Sequence, residues 1–219
     1  MGKLITFDLD GTLIDSAEDI STAIIYAAHK VCQLPENTIT FQQTAPLLGK
    51  NLQLTFATLL PAAYHHRIEE CVKVYREYYP QNCANHTTVF PGLIDLLVEL
   101  RKQGYKLAIA TTKVQAVVEV VVAKLGLTAY FDLVQGVDGF PSKPDPYILQ
   151  LVMQKLEATQ AETLMIGDTD NDVLCARNAG IAVCAVTWGA WSYSELAKLE
   201  PDYIATSVAE LCQILTQAF

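Results

Sequence analysis

Short apolar runs alternate along most of the chain with longer stretches whose hydrophobic positions recur every three or four residues. Lys3 to Phe7, Lys106 to Ala110, Leu133 to Gln135, Thr163 to Ile166 and Ala182 to Val186 read as short buried strands. Pro91 to Gly104, Lys113 to Gly126, Pro144 to Glu157 and Asp170 to Gly180 carry the helical period. Three of these helices close on glycine, the residue favoured just past a helix end, and Pro91 stands where a missing N–H costs nothing. Alternation of this kind predicts an α/β fold, a Rossmann-like parallel sheet covered on both faces. In such sheets the site lies beyond the carboxyl ends of the strands, and Asp8, Thr111 and Asp168 each fall just after a predicted strand.

Residues 16–87 break the alternation. Ser16 to Gln33 is amphipathic and helical, Phe41 to Leu60 holds one or two helices, and Ala62 to Tyr79 another, with Ile68, Val72, Tyr75 and Tyr79 on one stripe. The expected organisation is an α/β core domain of residues 1–15 and 88–219, with an all-helical domain of 16–87 inserted after the first strand. Hinges are expected near Asp15-Ser16 and between Asn82 and Val89.

Composition narrows the setting. The chain has 219 residues, 51% hydrophobic and 18% charged, which is enough to bury a substantial core. The first residues do not read as a signal peptide, because their apolar run ends on acidic residues, and no run of about 18 apolar residues suggests a membrane span. The expected location is cytoplasmic. Cys32, Cys71, Cys83, Cys175, Cys184 and Cys212 are scattered without metal-ligand spacing and read as packing residues. A net charge of -9 argues against nucleic acid as a partner and means that an anionic substrate needs local cations.

Four segments carry candidate chemistry. Asp8-Leu9-Asp10-Gly11-Thr12 places two carboxylates one residue apart at a strand end, a set of oxygen donors suited to Mg2+; the alternative is an acidic loop capping a helix. Thr111, with Thr112 and Lys113 after it, offers a hydroxyl and backbone N–H groups at an expected helix start, either a phosphate seat or an ordinary helix cap. Lys143, in Ser142-Lys143-Pro144-Asp145-Pro146, can bring an ammonium to an anion or stand solvated in a turn. Gly167-Asp168-Thr169-Asp170-Asn171-Asp172 follows a strand and starts a helix, where acids are favoured in any case.

In order, Asp8-x-Asp10-Gly11-Thr12, Thr111, Lys143-Pro144 and Gly167-Asp168-x-x-x-Asp172 resemble the four motifs of the haloacid dehalogenase superfamily in its phosphatase branch. Phe90-Pro91-Gly92, Lys143-Pro144-Asp145-Pro146 and the stretch from Asp172 to Ile181 resemble its phosphoglycolate phosphatase-like subgroup. The resemblance implies a Mg2+-dependent phosphatase in which Asp8 is the nucleophile, Asp10 the general acid and base, and Thr111 and Lys143 the phosphoryl-binding residues. It assigns the metal to Asp8, the backbone carbonyl of Asp10 and Asp168, with Asp172 orienting its waters. The subgroup commonly has asparagine where Thr112 stands, which leaves the Thr112 backbone N–H as the contact expected there.

The resemblance also makes the helical insertion a mobile cap, with Lys50 as a possible substrate contact or a plain surface lysine; His65 and His66 read as solvated. The expected reaction is hydrolysis of a small phosphomonoester, 2-phosphoglycolate first. Pyrophosphatase or nucleotide phosphatase activity and β-phosphoglucomutase-type transfer are the alternatives. Dehalogenase chemistry is disfavoured by Asp10, and phosphonate hydrolysis by the lack of a well-matched cap lysine. The expected partner is a small phosphorylated metabolite, with no nucleic acid and no membrane, in a monomer or homodimer.

Overall fold

A computed structural model describes residues Lys3–Ala218. The chain divides into two compact units, one formed by the residues up to Asp15 together with those from Val89 onward, the other by Ser16–Thr88.

The first unit is built on a six-stranded sheet in the order β5-β4-β1-β6-β7-β8, with every pairing parallel. Its strands are β1 (Leu4–Phe7), β4 (Lys106–Val114), β5 (Leu133–Val137), β6 (Thr163–Gly167), β7 (Ala182–Val186) and β8 (Tyr203–Ala205). Side chains alternate between faces, as the strand period requires. Leu4, Ala108, Ala110, Met165, Val183 and Ala185 form one buried face with Ile148, Leu149 and Val152 of α7 (Tyr147–Lys155) and Val173 and Ala176 of α8 (Asp170–Ala179). Ile5, Phe7, Leu107, Ile109, Leu164 and Ile166 are fully buried on the opposite face. Helices α5 (Leu93–Lys102), α6 (Gln115–Lys124), α9 (Tyr193–Ala197) and α10 (Val208–Ala218) complete the unit. Because β4 and β6 flank β1, the strand order reverses at β1, and the crevice beyond its carboxyl end is where such sheets place a ligand.

The sequence reading ended the second core strand at Ala110 and began a helix at Lys113. The structure corrects both: β4 runs on to Val114 and α6 starts at Gln115. β4 stays paired with β5 through Val114↔Val137, across a register shift between Ala110 and Val114. Thr111, Thr112 and Lys113 therefore lie on an irregular strand end and not at a helix N-terminus. Pro91 likewise stands two residues ahead of α5, whose cap is Gly92 at φ 83. Strand β8 and helices α9 and α10 had no counterpart in the pattern.

The second unit holds α1 (Ala17–Cys32), α2 (Phe41–Thr44), α3 (Leu52–Leu59) and α4 (Ile68–Asn82), with 3-10 turns at Ala45–Leu47 and Ala62–Arg67. Val72, Tyr75 and Tyr79 are buried along the expected stripe of α4, while Ile68 is half-buried. β2 (Ile14–Asp15) and β3 (Thr88–Val89) form a two-stranded ribbon where the chain enters and leaves this unit. Five of the six cysteines are buried as packing residues; Cys212 is exposed and is not one. No helix among the described residues is long and apolar enough to cross a membrane.

Candidate active site

Asp8 follows β1 directly, and its backbone N–H donates to the Ile166 carbonyl at 2.8 Å, extending the β1–β6 pairing by one residue. The chain then turns at Gly11, at φ 77, where a Cβ would lie 2.2 Å from Asp168 Oδ2. Only glycine lets the turn after β1 approach the carboxylate after β6 so closely.

Asp8, Asp168 and Asp172 are all buried, and each offers an oxygen within 4.8 Å of the others'. Lys143 Nζ donates to Asp8 Oδ1 at 2.6 Å, to Asp172 Oδ1 at 2.5 Å and to the Ala110 carbonyl at 3.0 Å. Asp172 closes a capping box on α8: its Oδ2 accepts from the Thr169 backbone N–H and hydroxyl at 3.1 and 2.8 Å. Asp168 Oδ1 accepts from the Thr12 hydroxyl at 3.0 Å and its Oδ2 from the Ala190 backbone N–H at 2.7 Å.

The electrostatics follow from crowding. Burial would lower the Lys143 pKa, but Asp172 and Asp8 overcome it and hold the ammonium charged. The same ammonium lowers Asp8, yet burial together with Asp172 and Asp10 pushes that carboxyl up to about 7. One ammonium cannot satisfy three enclosed carboxylates. Burial, Asp172 and Asp8 likewise drive Asp168 well above the usual carboxylate range. A cluster of oxygen donors with surplus negative charge fits a divalent cation. Both oxygens of Asp172 are already engaged, by Lys143 and Thr169, whereas Asp8 Oδ2 lies outside the Lys143 bond.

Asp10 stands nearer the solvent, with Lys113 Nζ 2.9 Å from its Oδ2. Thr111 is buried and its hydroxyl accepts from the Lys113 backbone N–H at 3.3 Å, while Thr112 is half-buried beside it. The first unit thus brings together Asp8, Asp10, Lys143, Asp168 and Asp172 around the ends of β1 and β6, with Thr111 and Thr112 on the end of β4. Lys50 belongs to the second unit, exposed in the turn after the 3-10 segment Ala45–Leu47. His65 and His66 are also exposed there, and His65 Nε2 pairs with the Leu60 carbonyl at 3.0 Å.

Sequence reasoning missed Lys113, although it lies in the segment quoted for Thr111. A lysine directly after the two threonines that end an apolar strand was the available signal. It also missed the loop after β7, where Gly189 and Ala190 close on Asp168 and the Trp188 indole donates to the Thr12 carbonyl at 3.1 Å.

A parallel sheet with clustered carboxylates and a buried lysine at its reversal point is suited to a divalent cation and an anionic ligand, and comparison with known proteins names the family. The haloacid dehalogenase-like hydrolase family matches residues 5–186. The chain belongs to that family, in its phosphoglycolate phosphatase-like subgroup, and is a hydrolase acting on phosphate esters. It is 33% identical to a phosphoglycolate phosphatase of Vibrio vulnificus, over 97% of this chain and 96% of that one. It is 31% identical to the pyrophosphatase PpaX of Bacillus mycoides, with the same coverage of 97% and 96%. A solved haloacid dehalogenase-like family hydrolase from Streptococcus pneumoniae is 32% identical, with a TM-score of 0.85 and coverage of 98% of each chain.

Proposed function

We propose that the protein is a Mg2+-dependent phosphatase of small phosphomonoesters, 2-phosphoglycolate first, working through an aspartyl phosphate on Asp8. The observation that carries this reading is the buried Asp8–Lys143–Asp172 ion-pair cluster with Asp168 against it at the strand ends. The carboxylate of Asp8, the backbone carbonyl of Asp10 and Asp168 would hold Mg2+, with Asp172 behind them. The bound ion would neutralise charge on the phosphoryl group and polarise it.

The protein's own groups supply the rest. An Asp8 oxygen attacks phosphorus as the bond to the leaving oxygen breaks, and Asp10 delivers its proton to that oxygen. Asp10 then takes a proton from water, whose oxygen attacks phosphorus, freeing inorganic phosphate and the Asp8 carboxylate. Lys143 holds Asp8 in place and, with the Thr111 hydroxyl and the Thr112 backbone N–H, binds phosphoryl oxygens. The family resemblance assigns residues 16–87 the role of a cap and makes Lys50 a candidate for substitution in activity assays.

The test is a panel of 2-phosphoglycolate, pyrophosphate, nucleotides and sugar phosphates, with Mg2+ and with a chelator. The expected result is Mg2+-dependent release of phosphate, with the highest kcat/KM on 2-phosphoglycolate. Hydrolysis of none of these, or undiminished turnover under chelation, would contradict the reading. The pyrophosphatase relative supports pyrophosphate as the second compound on the same machinery. Equal rates of product release and of water incorporation into phosphate, with a sugar acceptor present, would exclude a phosphotransferase.

A further inference from the structure

Two ammonium groups meet the carboxylates of the site, and they are held differently. The Lys143 side chain is 1% exposed and its partner Asp8 11%, whereas Lys113 and Asp10 are 9% and 21% exposed. The Lys113–Asp10 pair is therefore on the more open side of the cluster. The strand end that carries Lys113 is irregular, with the β4–β5 register shifting between Ala110 and Val114. Irregularities of this kind re-aim side chains next to active sites. The backbone there is also wedged in place. A Cβ on Gly136 would lie 2.6 Å from the Lys113 carbonyl oxygen, and the Gly136 N–H donates to Gln115 Oε1 at 2.6 Å. A charge on so fixed a strand end is pre-organised for recognition.

In the functional reading above, Asp10 is the carboxyl that meets the leaving-group oxygen. A leaving group with its own negative charge would approach the carboxylate cluster beside Asp10 as a like charge, at a cost that grows as the site excludes water. Lys113 is 2.9 Å from the Asp10 carboxylate, where its ammonium offsets that repulsion. We propose that Lys113 is a specificity-determining residue that admits phosphoesters whose leaving group carries a second anion, either a carboxylate or a further phosphoryl group. The proposal rests on the reading of Asp8 and Asp10 given above and adds the class of leaving group to it.

The test compares 2-phosphoglycolate, pyrophosphate and ethyl phosphate; the last has a methyl group where phosphoglycolate has its carboxylate. In Lys113→Met, kcat/KM for an anionic substrate relative to ethyl phosphate falls by about 10- to 100-fold, mostly through KM. A fall for phosphoglycolate alone assigns a carboxylate, and one for pyrophosphate alone assigns a phosphoryl group. Lys113→Arg keeps the charge and holds the ratio within about threefold of wild type. If Lys113→Met does not fold, Lys113→Gln carries the same comparison. Ratios within about twofold of wild type would overturn the proposal, including the case where all three substrates decline together and Lys113 acts only by positioning Asp10. A wild-type enzyme inactive on all three substrates would instead overturn the functional reading.

Discussion

Lys143 joins Asp8 to the carboxylate that caps α8, so in the proposed mechanism it serves folding and chemistry at once. Replacing it with methionine leaves Asp8 and Asp172 enclosed without their counter-charge. Lys143→Met should destabilise the metal-free protein by about 3–5 kcal/mol in urea titrations at neutral pH. It should also lower kcat/KM by at least about 100-fold in steady-state assays. The raised Asp8 value makes a further prediction at this scale. In the folded chain without metal, burial and the neighbouring carboxylates push Asp8 from its ordinary 3.8 up to about 7. Between those values the folded chain binds the extra proton, so its stability falls as pH rises through that window, and Asp168 acts in the same direction. The raised Lys143 value acts only above 10.5 and leaves this window untouched. A bound cation competes with those protons, so the rise in Tm on adding Mg2+ should be larger near pH 7 than near pH 5. Thermal unfolding at both pH values checks this, and an equal rise would contradict it.

At the scale of elements, the site depends on how closely three strand-end loops approach. A Cβ on Gly189 would lie 2.2 Å from Asp168 Oδ2 and 2.3 Å from the Gly11 carbonyl. Gly189→Ala should therefore push the loops after β1, β6 and β7 apart, costing about 1–3 kcal/mol in chemical denaturation, with activity falling alongside. In the helical unit, Asp19 in the first turn of α1 ties down the segment that leaves α4. Its carboxylate accepts from the His86 and Thr87 backbone N–H groups and from the Thr87 hydroxyl, the last at 2.6 Å. Burial works against its charge, but the hydrogen bonds from Thr87 and His86 prevail and hold its pKa below the usual range. Asp19→Ala should cost about 2–4 kcal/mol near pH 7 by denaturant melts. The wild-type contribution is present above the unfolded value of 3.8 and is lost as pH falls through the lower folded value. Neither Gly189 nor Asp19 stood out in the pattern, because each acts through a partner distant in sequence. The core strands were legible because β1, β6 and β7 are short, mostly apolar runs. The end of β4 was not, because Thr111, Thr112 and Lys113 are polar and lie in the register shift before pairing with β5 resumes at Val114.

For the whole molecule, motif order said more than any single motif. Asp8, Thr111, Lys143 and Asp168 are separated along the chain, and the parallel topology gathers the segments that follow or end β1, β4 and β6. That convergence was legible because Asp8, Thr111 and Asp168 each follow a predicted strand of a parallel sheet, whose ligands gather beyond the carboxyl ends. The role of Lys113 was not, since it depends on a register shift that periodicity does not report. With a net charge of -9, the protein must concentrate its positive charge locally to receive a phosphate ester, and Lys143 and Lys113 are placed at the site to do so. Attack by Asp8 on phosphorus is best probed with Asp8→Asn, because the amide keeps the shape and removes the proposed nucleophile. Assayed on 2-phosphoglycolate with Mg2+, the variant should fold and lose at least about 1,000-fold in kcat. A folded Asp8→Asn enzyme within about tenfold of wild type would contradict the account.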